Sequence, residues 1–264
     1  MKRNNTLSTI IASKRLEVES EKRSIPMERL RDKLTDVSFK HSMRRSLAAS
    51  SSGIIAEFKR RSPSMGWINR GARAEEIVPA YEKAGAAALS ILTDEPFFGG
   101  SLTDLHAIRP LVNIPVLRKE FIIDPYQLYQ AKIAGADAVL LIASALEREQ
   151  CASLTALSHQ IGLEVLLEVH NEAELEYITP HTDMVGVNNR RLTTFHTDVN
   201  HSLRMATSLP QHVLWVSESG IADAATARQL RDKGFRGLLI GEAFMKTAHP
   251  QKALHSFITQ LHAQ

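Results

Sequence analysis

Short apolar runs alternate with longer helical patterns over most of this chain. After residue 50, stretches rich in β-branched and other apolar residues recur, and segments with the apolar spacing of amphipathic helices separate them. There are eight such runs, at about 53–59, 87–92, 115–119, 137–143, 163–169, 184–188, 213–217 and 236–241. Eight strands, each followed by a helix, predict a closed parallel barrel.

Several runs, such as 138–142 and 238–240, are apolar on both faces, as parallel strands between helices and a barrel core must be. Four of the runs follow a glycine that fits a left-handed helix C-cap, namely Gly85, Gly135, Gly162 and Gly234. The alternative is an open doubly wound sheet, which would normally carry a glycine-rich phosphate turn after its first strand. The chain has Arg-Arg-Ser-Pro-Ser there instead. We therefore predict an α/β fold, a single (β/α)8 TIM barrel.

The segment before the first strand has a different pattern. Residues 1–47 read as two charged helices with narrow apolar stripes, and Pro26 stands near the start of the second. We predict that residues 1–47 form a helical extension packed on the barrel, as a lid or plug, and that residues 48–264 form the catalytic barrel. A partner-binding role for the two helices is the alternative.

Composition narrows the class of protein. With 264 residues, 44% of them hydrophobic and 23% charged, the chain can bury one substantial core. The single cysteine, Cys151, excludes an internal disulfide and a thiolate metal site, and we find neither a signal-peptide core nor a membrane span. We therefore expect a cytoplasmic protein with no membrane association.

The charge balance favours a small ligand over nucleic acid. The formal net charge is +3, but the 32 basic residues are nearly matched by 29 acidic ones along the chain. The eleven histidines lack metal-ligand spacing, and we expect His159, His170 and His181 on the surface or in loops. These observations predict a small anionic substrate, no metal and no obligate protein partner.

Ionisable residues stand at or near the ends of several apolar runs, where the strands of such a barrel carry catalytic groups. Burying a charge costs several kcal/mol unless it is paired, so folding alone does not explain the recurrence. The residues are Glu57, Lys59, Lys119, Glu168 and Glu218. Two lysines facing one anionic ligand should depress each other's pKa toward the range of a proton donor. Glu164, near the bottom of the barrel, is expected to be structural.

Other polar residues suggest ligand contacts. Ser219-Gly220 and Gly241-Glu242 follow strands seven and eight, where these barrels bind phosphate through backbone N–H groups. Asn188 can hydrogen-bond to sugar hydroxyls, and Arg190 can bind a carboxylate with both arms of its guanidinium. Phe98 or Phe121 could stack on an aromatic ligand, although phenylalanine is more often core.

These motifs together resemble the indole-3-glycerol phosphate synthase family over nearly the whole chain. The most specific blocks are Ser-Pro-Ser at 62–64 and Arg-Lys-Glu-Phe at 118–121. The second of these is part of a longer block at 115–127, and the remaining blocks lie at 55–59, 92–94, 98–101, 134–142, 164–170, 188–190, 217–221 and 239–242. Met65 and Arg191 depart from the usual pattern and concern loop contacts. No second, isomerase barrel follows, so we expect the single-enzyme form.

The resemblance implies conversion of 1-(2-carboxyphenylamino)-1-deoxyribulose 5-phosphate to indole-3-glycerol phosphate, without cofactor or metal. It implies Lys119 as general acid, Glu168 as base, Glu57 as base or electrostatic partner and Lys59 as substrate ligand or second acid. Asn188 and Ser219 complete the implied catalytic set. The implied substrate contacts are Ser62, Phe98, Phe121, Leu140, Arg190, Leu192, Glu218, Gly220, Leu239, Ile240, Gly241 and Glu242.

Two alternatives stay open at this point. Another sugar-phosphate barrel, such as phosphoribosylanthranilate isomerase, would share the phosphate site, but that enzyme uses a strand-end cysteine and Cys151 lies in a helical pattern. A non-catalytic phosphate-binding or nucleic-acid-binding barrel would fit the pI of about 9.0. Lys119 and Glu168 count against it.

Overall fold

The eight apolar runs form eight parallel strands that close into a barrel. The computed structural model describes residues 6–34, 38, 40–191 and 196–263. The strands are β1 (Ile54–Phe58), β2 (Ala88–Leu92), β3 (Val116–Lys119), β4 (Ala138–Ile142), β5 (Glu164–Val169), β6 (Met184–Asn188), β7 (Leu214–Glu218) and β8 (Gly237–Ile240). Each strand pairs in parallel with its neighbours, and β1 pairs with both β2 and β8. The prediction of a (β/α)8 barrel is confirmed.

Helices surround the barrel, and three more lie before it. Within the described residues they are α1 (Thr6–Ser24), α2 (Met27–Lys33), α3 (Met43–Ala49), α4 (Ala74–Lys83), α5 (Glu95–Phe98), α6 (Leu102–Ile108), α7 (Pro125–Ala134), α8 (Arg148–Gln160), α9 (Asn200–Met205), α10 (Ala224–Asp232), α11 (Glu242–Met245) and α12 (Pro250–His262). Short 3-10 turns span Arg109–Leu111, Ala143–Ala145 and Glu172–Tyr177. The four predicted cap glycines all have positive φ, between 74° and 108°.

Alternation along each strand divides the core into two layers. In β1, Ile54, Ala56 and Phe58 pack outward against the helices, whereas Ile55 belongs to a separate cluster inside the barrel. Residues two apart on a strand share a face. Glu57 and Lys59 therefore point inward with Ile55, as predicted.

The N-terminal segment contains one helix more than the two predicted. Helix α3 starts at Ser42, whose hydroxyl accepts a hydrogen bond from the backbone N–H of Arg45 at 3.1 Å. Its Met43 and Leu47 enter the inner core at the barrel floor. The helix runs across the proposed boundary after residue 47, and the division into two domains stays a prediction. None of the helices in the described part of the chain has the length and apolar character needed to cross a membrane.

Candidate active site

A cavity of about 310 Å³ opens at the carboxyl ends of the strands. It brings together all the predicted site residues but one, and Leu192 lies outside the described residues. The lining includes Glu57, Lys59, Ser62, Phe98, Lys119, Phe121, Leu140, Glu168, Asn188, Arg190, Glu218, Ser219, Gly220, Leu239, Ile240, Gly241 and Glu242.

Four ionisable side chains in this cavity come from the four odd-numbered strands. Glu57 lies on β1, Lys119 on β3, Glu168 on β5 and Glu218 on β7. Alternate strands of such a barrel contribute side chains to the same layer of its interior. The Lys119 Nζ lies 3.4 Å from Glu168 Oε2 and 3.3 Å from Glu218 Oε2. Fold geometry therefore gathers one ammonium and three carboxylates at the mouth.

The electrostatics of Lys119 differ from the sequence prediction. Burial disfavours its charged form, but Glu218, Glu168 and Glu57 outweigh burial and raise the pKa of Lys119. The predicted depression by a second lysine is wrong for Lys119 in the protein without ligand, because carboxylates outnumber ammonium groups around it. The site therefore favours the protonated form of Lys119.

Glu218 is the least well compensated of the three carboxylates. Burial raises its pKa to about 7, with the neighbouring charge of Glu168 adding to the effect and Lys119 opposing it. Neither carboxylate oxygen makes a well-aligned hydrogen bond within the described residues. Gly186 on β6 makes space for it, since a Cβ at that glycine would stand 2.1 Å from Glu218 Oε1.

Glu57 and Lys59 form the second ion pair of the mouth. Their Oε1 and Nζ atoms are 2.6 Å apart. Burial opposes ionisation of Glu57, but Lys59 and Lys119 outweigh it and lower its pKa. A Cβ at Gly241 would lie 2.4 Å from Glu57 Oε1, so this turn after β8 approaches the pair as only a glycine permits.

Arg190, just after β6, joins three loops around the cavity. Its guanidinium donates to Ser64 Oγ at 2.8 Å and Glu242 Oε2 at 3.1 Å, and its Nε donates to Thr197 Oγ1 at 3.2 Å. Asn188 Oδ1 accepts a hydrogen bond from the Arg190 backbone N–H at 3.0 Å. The guanidinium thus makes a single hydrogen bond to a carboxylate of the protein, that of Glu242, and the predicted two-armed binding of a ligand carboxylate stays a prediction.

The turn after β7 is held in an unusual conformation. Ser219 has φ 70° and is the one non-glycine residue with positive φ in the described part of the chain. Such a conformation costs about 1–3 kcal/mol and persists where its surroundings fix it. Asn189 does so by donating to the Ser219 carbonyl oxygen and to Ser217 Oγ, both at 3.0 Å. In the sequence Asn189 is only one position of a motif, whereas in the structure its side chain supports this turn.

Phe98 and Phe121 form an aromatic pair beside the charged layer. Their ring centroids are 5.9 Å apart with the planes tilted by 39°. Apolar residues of the inner strands, among them Leu140 and Leu239, line the same cavity. The mouth therefore combines a charged layer with an apolar, aromatic wall.

Two features of the site escaped the sequence prediction. His170, expected on the surface or in a loop, does follow β5 in a loop, but it is largely buried and its Nε2 lies 3.3 Å from Glu168 Oε1. Lys14 of α1 is buried among Glu17, Asp94 and Glu120, with Nζ–O distances of 2.9 to 3.1 Å. Leu7 and Ile10 of the same helix line the cavity.

Glu164 occupies the opposite end of β5. The Ser42 hydroxyl donates to its Oε1, and the backbone N–H of Arg44 donates to its Oε2 at 2.9 Å. Two donors from the start of α3 thus satisfy a carboxylate at the barrel floor. This arrangement is the structural role expected for Glu164. Among the described residues, no group of three or more histidine, cysteine, aspartate or glutamate side chains is placed to hold a metal ion.

Sequence comparison identifies the family. Residues 7–257 match the family model described as indole-3-glycerol phosphate synthase. The chain belongs to the indole-3-glycerol phosphate synthase family. It is 60% identical over 252 residues to the indole-3-glycerol phosphate synthase of Bacteroides thetaiotaomicron, covering 96% of this chain and 97% of the relative. It is 44% identical over 245 residues to that of Neisseria meningitidis serogroup B, covering 91% and 94%.

Solved structures support the barrel fold at low sequence identity. A tryptophan synthase complex from Pyrococcus furiosus matches with a TM-score of 0.57 and 13% identity, covering 80% of this chain and 98% of that one. The 3-hexulose-6-phosphate synthase from Salmonella typhimurium matches with a TM-score of 0.60 and 14% identity, covering 80% and 100%. The family match decides against the isomerase alternative.

Proposed function

We propose that the chain closes the pyrrole ring of indole. The substrate is 1-(2-carboxyphenylamino)-1-deoxyribulose 5-phosphate, and the products are indole-3-glycerol phosphate, carbon dioxide and water. Family membership supports this reaction, and the observation that carries it for this chain is the single layer of Glu57, Lys119, Glu168 and Glu218 at the open mouth.

Lys119 acts as the general acid of ring closure in this proposal. It protonates the ketone oxygen while the ring carbon that bears the carboxylate attacks the carbonyl carbon. Loss of carbon dioxide then returns an electron pair to the ring and restores aromaticity. The raised pKa of Lys119 supports the assignment, since the group carries its proton when substrate arrives.

Dehydration needs a base and a second acid. Glu168 takes a proton from the carbon beside the nitrogen, and Lys59, supported by Glu57, protonates the departing hydroxyl. The short Glu57–Lys59 contact of 2.6 Å supports a joint role for that pair. Positioning and proton transfer are the means of catalysis.

Binding is divided between the two sides of the cavity. The phosphate would bind to backbone N–H groups of Ser219-Gly220, after β7, and of Gly241-Glu242, after β8. At the second segment the first N–H groups of α11 have no partner within the helix. Phe98, Phe121, Leu140, Leu239 and Ile240 offer an apolar surface to the anthranilate ring. Asn188 and Glu218 would bind the polar groups of the sugar chain that joins the phosphate to the anthranilate ring.

The decisive experiment adds this substrate to the purified protein and follows indole fluorescence. We expect a rising signal that depends on enzyme concentration. Folded protein that gives no signal would remove the proposal, and turnover of phosphoribosylanthranilate instead would favour an isomerase. We further propose a small phosphorylated anion as the physiological partner and the cytoplasm as the compartment.

A further inference from the structure

A second cavity lies beside the active site and shares a wall with it. Its volume is about 520 Å³, and its lining includes His170, Asn171, His201 and Arg204. Asn188 lines both cavities, whereas Glu168 lines the first and His170 the second. The contact between Glu168 and His170 therefore crosses from the reaction site into a separate space.

His170 lines the second cavity and contacts Glu168, which lines the active-site cavity. Its side chain is 14% exposed, its Nε2 lies 3.3 Å from Glu168 Oε1, and its Nδ1 lies 3.6 Å from Glu174 Oε2. Glu174 also accepts a hydrogen bond from the His170 backbone N–H at 2.7 Å, which fixes the residue in place. On the other side of Glu168, its Oε2 lies 3.4 Å from Lys119 Nζ. Histidine, carboxylate and lysine thus form one continuous row.

The proposed reaction consumes one proton in each turnover. Protons are given to the ketone oxygen and to the hydroxyl that leaves as water, whereas only the carbon beside the nitrogen gives one back. The substrate carboxylate leaves as neutral carbon dioxide, and its electron pair stays on the ring. Recycling by Glu168 therefore restores one donor, and the other must regain its proton from solvent.

We infer that His170 supplies this proton from the second cavity through Glu168. Protonated His170 gives its Nε2 proton to Glu168 after ring closure, and the carboxyl group, after turning, gives it to the neutral amine of Lys119. The proton that Glu168 later takes from carbon then replaces the one given by Lys59. His170 then takes a proton from water in the second cavity. The inference rests on the proposed function for the need of a proton, and on the contacts above for the route.

The charges around His170 suit this role. It is faced by Glu168 from β5, Glu174 from the following turn, Glu218 from β7 and His201 from α9. Burial disfavours the imidazolium, but Glu174, Glu168 and Glu218 outweigh burial and raise the pKa of His170. For His201, burial and the nearby Arg204 lower the pKa, so it does not compete as a cation. Of His170 and His201, His170 is therefore the one whose surroundings favour the protonated ring.

The kinetic test is His170→Gln, which removes the titrating ring. Because positioned proton-transfer groups contribute typically 10²–10⁴-fold and cavity water can replace part of this, we expect kcat to fall about tenfold near pH 8 with KM almost unchanged. The loss should grow as pH rises, and added imidazole should restore part of the rate. The control His159→Gln alters a histidine paired with Asp183 at 2.7 Å, away from the site, and should leave the rate unchanged.

Two results would overturn the inference. One is an unchanged kcat and pH profile in His170→Gln. The other is a loss that imidazole does not restore and that accompanies a lower melting temperature, which would make His170 structural.

A titration that needs no turnover separates this inference from the proposed function. Ring NMR signals of His170 should titrate at lower pH in Glu168→Gln than in the unaltered protein, because the variant lacks the facing charge. An unchanged midpoint would refute the coupling. Inactivity of the unaltered protein with substrate would refute the proposed function alone.

Discussion

Two buried lysines in this molecule have similar partners and different surroundings. Lys14 contacts Glu17, Asp94 and Glu120, and Lys119 is held by Glu168, Glu218 and Glu57. In both, the carboxylates outweigh burial and raise the lysine pKa. Lys14 is 1% exposed, whereas Lys119 is 14% exposed and lines the cavity.

The two clusters differ in the distance between the ammonium and its carboxylates and in the exposure of the lysine to the cavity. The contacts of Lys14 with Asp94 and Glu120, both 3.1 Å long, join α1 to the segments that follow β2 and β3. Lys119 stands 3.3 and 3.4 Å from its nearest partners and faces open space. A sealed cluster fixes elements of the fold, and an open cluster of the same charges can exchange a proton with a ligand. Charge composition alone does not distinguish structure from chemistry.

The largest effect should come from Lys119→Ala. A general acid used in the transition state costs rate more than affinity, so we expect kcat to fall by at least about 10²–10⁴-fold while substrate still binds. Steady-state kinetics together with calorimetric titration of substrate would measure both quantities. Lys252→Ala on exposed α12 is the control. Equal losses in rate and affinity would contradict the assignment of Lys119 as acid.

Lys14→Met should change stability instead. Removing one partner of a buried ion cluster leaves uncompensated carboxylates, and we expect the free energy of unfolding to fall by about 3–5 kcal/mol. Denaturant titration measures it.

The control on the same helix is Lys22→Met. Lys22 is 30% exposed and contacts Asp124 at 2.7 Å, so its loss should cost no more than about 1 kcal/mol. Similar losses for Lys14→Met and Lys22→Met would show that sealing the cluster adds nothing.

The smallest effect concerns the pH dependence of stability. The pKa of Glu218 is about 7 in the folded protein, above the usual 4.5, so its contribution is present below pH 4.5 and is lost as pH rises through 7. We expect the free energy of unfolding of Glu218→Gln to change less with pH between 4.5 and 7.5 than that of the unaltered protein. Denaturant midpoints over this range measure the difference.

Glu168 provides the opposite case. Its folded pKa is lowered, because Lys119 and His170 outweigh its burial. It therefore stabilises the fold above its unfolded pKa, and this contribution is lost as pH falls through its folded pKa. Glu168→Gln should reduce the loss of stability at acid pH, and because it removes a charge that raises the pKa of Glu218, it should also shift the loss above pH 4.5 toward lower pH. Glu218→Gln should leave the loss at acid pH in place, and its disappearance in that variant would contradict this assignment.

The sequence predicts the barrel well because its signals are local. Each predicted strand boundary lies within one residue of the observed one, since the apolar runs mark both ends of the strands and the cap glycines mark four of the starts. The inward direction of Glu57 and Lys59 follows from alternation alone. Their meeting with Lys119, Glu168 and Glu218 follows from barrel closure, which is why these positions could be named in advance.

Other features depend on contacts distant in the chain. Lys14 looks like any lysine of a charged helix until Asp94 and Glu120 fold against it. The pKa direction of Lys119 depends on how many carboxylates surround it, which only the assembled layer shows. The sequence places His170 on the surface or in a loop, because nothing near it in sequence indicates that Glu168 faces it across the turn. Ser42, by contrast, is a local N-cap signal from which α3 can be predicted.

The missing side chain of Gly186 on β6 leaves space for Glu218 on the neighbouring strand β7, so the residues at these two positions depend on each other. Because Glu218 Oε1 occupies the space where a Cβ would lie, a larger residue at 186 requires a shorter or displaced one at 218. Among relatives, these two positions should therefore covary: where the glycine is lost, the glutamate should be lost with it. In a mutational library built at both positions, a larger residue at 186 should be recovered in folded variants together with a smaller one at 218, whereas a smaller residue at 218 should be tolerated beside Gly186.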